Sequence, residues 1–122
     1  MQIAIVLYEG FTALDAIGPY ETLSQMPGAE VRFVAEQVGP VTTDTGFLTV
    51  QARYSFADTP APDIVVVPGS TISFLRETKN DRLLEYLRGV HKQTQWTTSV
   101  CTGSILLAAA GLLEGLPATS HW

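Results

Sequence analysis

The chain uses cysteine once, at Cys101, in the stretch SVCTGS at 99–104. Before it, WTTSV has the β-branched character of a short strand; after it, ILLAAAGLL is an apolar, small-residue run suited to a buried helix. A thiol at a strand-to-helix turn meets N–H groups without intrahelical acceptors and the positive end of the peptide dipoles, and both favour thiolate. Ser99, Thr102, Gly103 and Ser104 are small enough to allow the tight turn that exposes a nucleophile. The competing reading is packing, because free cysteine is commonly buried and inert. Position alone leaves the two open.

Two further stretches could serve such a thiol. Asp15 in LDAIGP is a carboxylate flanked by Leu14, Ala16 and Ile17, near the end of the first apolar run. Burial there would favour its neutral form and suit it to proton transfer, while a plainer reading makes it a helix N-cap or first-turn acid. The turn PGS at 68–70 closes another apolar run, and a glycine turn beside a cysteine elbow can aim backbone N–H groups at one point. A Pro-Gly turn after a strand is also ordinary loop chemistry. Glu21 is a second acidic candidate, more easily read as a surface helix residue. His121 is a possible base at the end of the chain, where a lone histidine is usually structural.

The elements that must position these residues alternate. QIAIVLY at 2–8 and DIVVVPGS at 63–70 are uninterrupted apolar runs, as expected of strands covered on both faces. TALDAIGPYETLSQM at 12–26 has helical spacing, with a break or restart expected at Gly18-Pro19. AEVRFVAE at 29–36 is a strand, and the segment 39–56 reads as a hairpin turning at Asp44-Thr45-Gly46. Asn80 can cap a helix whose inner stripe is Leu83, Leu84, Leu87 and Val90. WTTSV and CTGSILLAAAGLL supply the last strand and helix. The pattern predicts an α/β layered fold with a mostly parallel sheet, in a single domain over residues 1–122.

Composition narrows the function. Of 122 residues, 46% are apolar and 16% charged, enough to fold around a real core. The net charge of −5 supplies no basic patch for a phosphate backbone, so nucleic-acid binding by this segment is not expected. MQIAIVLYEGF lacks a basic leader and is too short to span a bilayer, so no membrane association is expected. One cysteine forms no internal disulfide and no CxxC or His-rich tract suggests a metal, which fits a reduced, cytoplasmic setting. The chain stops at ATSHW, which reads as the start of a further strand, so the fold is expected to be incomplete at its C-terminus.

Taken in order, LDAIGP at 14–19, DIVVVPGS at 63–70, SVCTGSILLAAAGLLEG at 99–115 and ATSHW at 118–122 resemble the DJ-1/PfpI superfamily, which is glutamine amidotransferase-like. Within it, LDxxGP and SVCTGS most resemble the isonitrile hydratases and the amidase-like sensor domains of AraC-type transcription regulators. The resemblance implies a flavodoxin-like, doubly wound sheet with helices on both faces and a β-hairpin excursion. It implies Cys101 as nucleophile, Asp15 as the acid that handles protons, and Thr102 as an orienting hydroxyl. The N–H groups of Gly69, Ser70 and Thr102 would surround the reacting atom, with Glu21 and His121 as possible outer residues. It implies a small-molecule substrate or ligand, no cofactor and a homodimer. Two departures matter: Ser70 stands where a second glycine is common, so that its side chain should enter the pocket, and family chains continue well past residue 122. A glyoxalase-like, deglycase-like or redox thiol role is a third possibility, although such members usually carry glutamate at the position of Asp15.

Overall fold

The two runs with no polar side chain, Ile3–Val6 and Ile64–Val67, are buried throughout and lie side by side at the centre of the sheet. The computed structural model describes residues 1–121. Its elements in chain order are β1 (Gln2–Val6), α1 (Ala13–Leu23), β2 (Glu30–Ala35), β3 (Gly39–Thr42), β4 (Thr49–Ala52) and β5 (Tyr54–Ser55). They continue with β6 (Ile64–Val67), α2 (Phe74–Glu77), α3 (Asp81–His91), β7 (Trp96–Ser99) and α4 (Gly103–Ala109). Five strands form one sheet in the order β5-β2-β1-β6-β7, with every neighbouring pair parallel.

That order reverses direction between β1 and β6. The chain leaves β1 through α1 toward β2, and leaves β6 through α3 toward β7. Right-handed crossovers in opposite directions put α1 and α3 on opposite faces, which is the doubly wound α/β arrangement the sequence predicts. The α3 stripe is as read: Leu83, Leu84, Leu87 and Val90 are buried, and the Asn80 side chain accepts from the Leu83 N–H at 3.4 Å. The loops after β1, β6 and β7 therefore meet at the carboxyl edge, next to the reversal point.

Four boundaries differ from the sequence reading. No break occurs at Gly18-Pro19, and α1 runs through with Pro19 inside it. A residue before proline is driven from helical geometry partly by its Cβ, and Gly18 has none. The Thr22 hydroxyl lies 3.2 Å from the carbonyl oxygens of Gly18 and Pro19 and can donate to either. The hairpin is real, pairing Gly39 with Ala52 through Thr42 with Thr49, but Tyr54–Ser55 leave it to join β2. Tyr54 gains Arg32 over its ring at 4.1 Å there, and Ser55 is held by Asp58. Helix α4 begins at Gly103, so Cys101 and Thr102 belong to the turn, and it closes before Gly111 at φ +81°. Residues 118–121 form no strand, and Trp122 lies outside the described residues.

Gly18 and Gly89 give a paired test. Both sit inside helices with room for a Cβ, but only Gly18 precedes a proline. Gly89→Ala should raise unfolding free energy by about 0.5–1 kcal/mol, the usual gain for an exposed helical glycine. Gly18→Ala should give no such gain, because its Cβ meets the Pro19 ring. Urea denaturation of both variants reads the difference.

Candidate active site

Cys101 is exposed and has φ +54°, the one non-glycine residue with positive φ among those described. Such a conformation costs about 1–3 kcal/mol and persists only where its surroundings enforce it. Here they do. The Val100 N–H donates to the Val67 carbonyl at 3.0 Å, and the Gly103 N–H donates back to Val100 at 2.9 Å. The hydroxyls of Ser104 and Ser120 both donate to the Cys101 carbonyl, at 3.3 and 3.1 Å. Gly103 is obligatory, since a Cβ there would collide with the Val67 carbonyl. The result is a strand-turn-helix elbow that presents the thiol outward rather than packing it.

The turn after β6 faces this elbow at very short range. A Cβ at Gly69 would lie 2.6 Å from the Thr102 hydroxyl, 2.8 Å from its nitrogen and 2.9 Å from the Asp15 carboxylate. Thr102 Oγ1 accepts from the Ser70 N–H at 2.9 Å and lies 3.0 Å from the Ser70 carbonyl, to which it can donate. The Gly69 N–H donates to Asp15 Oδ2 at 3.1 Å, and the Gly69 carbonyl accepts from the Thr12 N–H at 2.9 Å. The N–H groups of Gly69 and Ser70, expected to face a reacting atom, are thus already donated to side chains of the site. Ser70 also departs from expectation. Its side chain is buried, accepts from the Phe74 N–H at 2.7 Å and so begins α2 instead of entering a substrate space.

Asp15 stands in the first turn of α1, but its carboxylate reaches across to the β6 turn and is only 8% exposed. Burial is the main influence on it and raises its proton affinity above that of an ordinary aspartate. The Gly69 N–H opposes this, Asp44 adds to it, and His121 opposes it by charge. His121 is therefore brought within electrostatic reach of Asp15. Glu21 is not brought in: it is exposed on α1, six residues and about 9 Å of helix rise beyond Asp15.

The sequence pattern of the DJ-1/PfpI family matches residues 1–122. The chain belongs to this family. Among curated relatives, the isonitrile hydratase of Pseudomonas putida is 39% identical over 123 residues, covering 100% of this chain and 53% of that protein. The HTH-type transcriptional regulator GbdR of Pseudomonas aeruginosa is 27% identical, over 98% of this chain and 34% of the regulator. The solved structure of a ThiJ/PfpI family protein from Pseudomonas syringae superposes with a TM-score of 0.94 at 35% identity, covering 99% of this chain and 50% of that one. The chain thus spans about half the length of the hydratase and of that solved structure.

In this DJ-1/PfpI chain three site residues escape sequence reasoning. Tyr8, two residues past β1, is 6% exposed and donates its hydroxyl to the Pro68 carbonyl at 2.7 Å. Asp44 accepts from the hydroxyls of Thr12 at 2.7 Å and Thr71 at 2.9 Å, tying the hairpin loop to the turns after β1 and β6. Glu77 on α2 is 5% exposed and accepts from the Asn80 side chain at 2.9 Å. The signals are faint: a tyrosine just past an aliphatic strand, and a hairpin aspartate that also serves its own turn. A cavity of about 600 Å³ is lined by Leu7, Tyr8, Val38, Phe56, Glu77 and Leu83 among others, and not by Cys101 or Asp15. Among the described residues no helix is long and apolar enough to cross a membrane.

The burial of Asp15 fixes how its removal should read out. An acid whose folded pKa is raised binds more protons folded than unfolded, so its contribution to stability falls as pH rises from the unfolded value of about 3.9. Asp15→Asn, which can still accept from Gly69, should equal or exceed the parent in stability at pH 7. The advantage should vanish below about pH 4. Chemical denaturation at both pH values checks the sign.

Proposed function

We propose that this chain carries the nucleophile and the proton-transfer group of a cysteine-dependent isonitrile hydratase. The observation that carries the reading is that Asp15, a buried carboxyl of raised proton affinity, and Thr102, the residue next to an exposed Cys101 of positive φ, both lie against the turn at Gly69. The 39% identity to an isonitrile hydratase supports it. Attack of the Cys101 thiolate on the isonitrile carbon forms a C–S bond and leaves the carbon lone pair to take a proton from Asp15, giving a thioimidate. Water then adds to that carbon, and the proton it releases passes through Asp15 to the imine nitrogen. Collapse of the tetrahedral adduct breaks the C–S bond and returns the hydroxyl proton to Asp15, so an N-substituted formamide leaves with the Cys101 thiolate and the Asp15 acid restored.

The first step leaves negative charge on carbon, so its foremost need is an acid. The committed N–H groups of Gly69 and Ser70 then act as supports, holding Asp15 and Thr102, and the Thr102 N–H is the donor we assign to the adduct. The partner is a small molecule approaching at the carboxyl ends of β1, β6 and β7. A homodimer remains part of the proposal through family resemblance.

A second reading, ligand sensing without turnover, is favoured by the match to a transcriptional regulator. One experiment separates the two. The purified protein is incubated with simple aryl and alkyl isonitriles, and formamide is followed by NMR alongside protection of Cys101 from a thiol reagent. A hydratase should form formamide, Cys101→Ala should lose at least about 10³-fold in kcat/KM, and Asp15→Asn about 10²-fold or more. Protection of the thiol without product would favour sensing. Turnover that survives Cys101→Ala would sink the nucleophile assignment.

A further inference from the structure

Tyr8 is a buried phenol with no part in the chemistry above, yet it touches the backbone on which that chemistry rests. Its hydroxyl donates to the Pro68 carbonyl at 2.7 Å. That carbonyl belongs to the same peptide group as the Gly69 N–H, which donates to Asp15 Oδ2 at 3.1 Å. A trans peptide points its C=O and N–H in opposite directions. The Pro68–Gly69 peptide is therefore gripped at one end by a donor from the loop after β1 and at the other by a carboxylate from α1. The next peptide, Gly69–Ser70, is gripped likewise by the Thr12 N–H and the Thr102 hydroxyl.

Hydrogen bonds in series through an amide polarise one another, so a donor on the carbonyl makes the N–H a stronger donor. We propose that Tyr8 is a positioning residue that sets how readily Asp15 gives up its proton: its hydroxyl polarises the Pro68–Gly69 peptide and so strengthens the N–H that holds the Asp15 carboxylate. The proposal rests on Asp15 being the proton-handling group, but it concerns the free protein and can be read without substrate. The other groups that act on Asp15 are Asp44 from the hairpin loop and His121 from the C-terminal segment, while the Ser70 side chain hydrogen-bonds to Tyr8 and Glu77, Asp15 and Cys101 act on it by charge. None of them is covalently altered by a change at Tyr8. The phenol itself stays neutral through the range in which Asp15 titrates, because burial holds its proton well above the ordinary tyrosine range. It therefore acts as a fixed dipole.

The test is an NMR titration of the Asp15 carboxyl carbon in the parent and in two variants. Tyr8→Phe keeps the ring and removes the donor, so the Asp15 midpoint should rise by about half a pH unit and the Gly69 amide proton should move upfield. Site-specific 3-fluorotyrosine at position 8 makes the hydroxyl a stronger donor with almost no change in volume, so the midpoint should fall. Opposite shifts in the two variants support the relay; should Tyr8→Phe fail to fold, the fluorotyrosine shift decides alone. An unmoved midpoint, or shifts of the same sign in both, overturns the proposal. Loss of isonitrile turnover, by contrast, would bear on the proposed reaction and leave this titration intact.

Discussion

The site depends on one close approach. The turn after β6 and the turn after β7 come so near that residue 69 has no room for a side chain. A Cβ there would sit under 3 Å from Thr102 and from Asp15 at once. Parallel pairing of β6 with β7, in register from Ile64↔Trp96 to Val67↔Ser99, brings the two turns level. The missing Cβ then lets backbone and side-chain groups from three elements share a single hydrogen-bonded knot. Thr102 closes it by contacting both polar groups of the Ser70 backbone. Leaving either one unmatched in this buried turn would cost about 1–3 kcal/mol, so the knot is rigid for a physical reason.

Rigidity there offsets two unfavourable features elsewhere. Cys101 is held in left-handed backbone geometry, and Asp15 is held away from water. Each alone would relax: the elbow by flipping its backbone, the carboxyl by swinging outward. Neither can, because the Cys101 carbonyl is fixed by two serine hydroxyls and Asp15 is fixed by the Gly69 N–H. Strain on Cys101 and desolvation on Asp15, with well-satisfied hydrogen bonds around each, are what the proposed chemistry requires of a preorganised site.

The sequence made the scaffold easy to read because each central strand carries its burial on its face. Ile3–Val6 and Ile64–Val67 have no polar alternative, and the α3 stripe has one amphipathic solution. Asp15 and Cys101 stood out as candidates for the opposite reason: a carboxylate in an apolar patch and a sole cysteine amid small residues contradict their surroundings, although position alone left each a structural reading and the family resemblance supplied the roles. What escaped was set by tertiary contact. Pro19 stays helical because of the glycine before it. Ser70 turns toward α2 because the Phe74 N–H needs an acceptor. Tyr8 and Asp44 join the site through a carbonyl and two hydroxyls that no local pattern announces.

The commitment of the Gly69 and Ser70 N–H groups also bears on the proposed chemistry. Acyl transfer develops charge on an oxygen, and a site built for it aims free backbone donors at that oxygen. Here two of the three expected donors point at Asp15 Oδ2 and Thr102 Oγ1. Such a site is weak as an oxyanion hole and strong as a holder of one acid. Reactions in which the thiolate adduct needs a proton on carbon more than stabilisation on oxygen suit that arrangement. Addition to an isonitrile is of this type, whereas hydrolysis of an ester or amide at the same cysteine would first have to free the two N–H groups from their present acceptors.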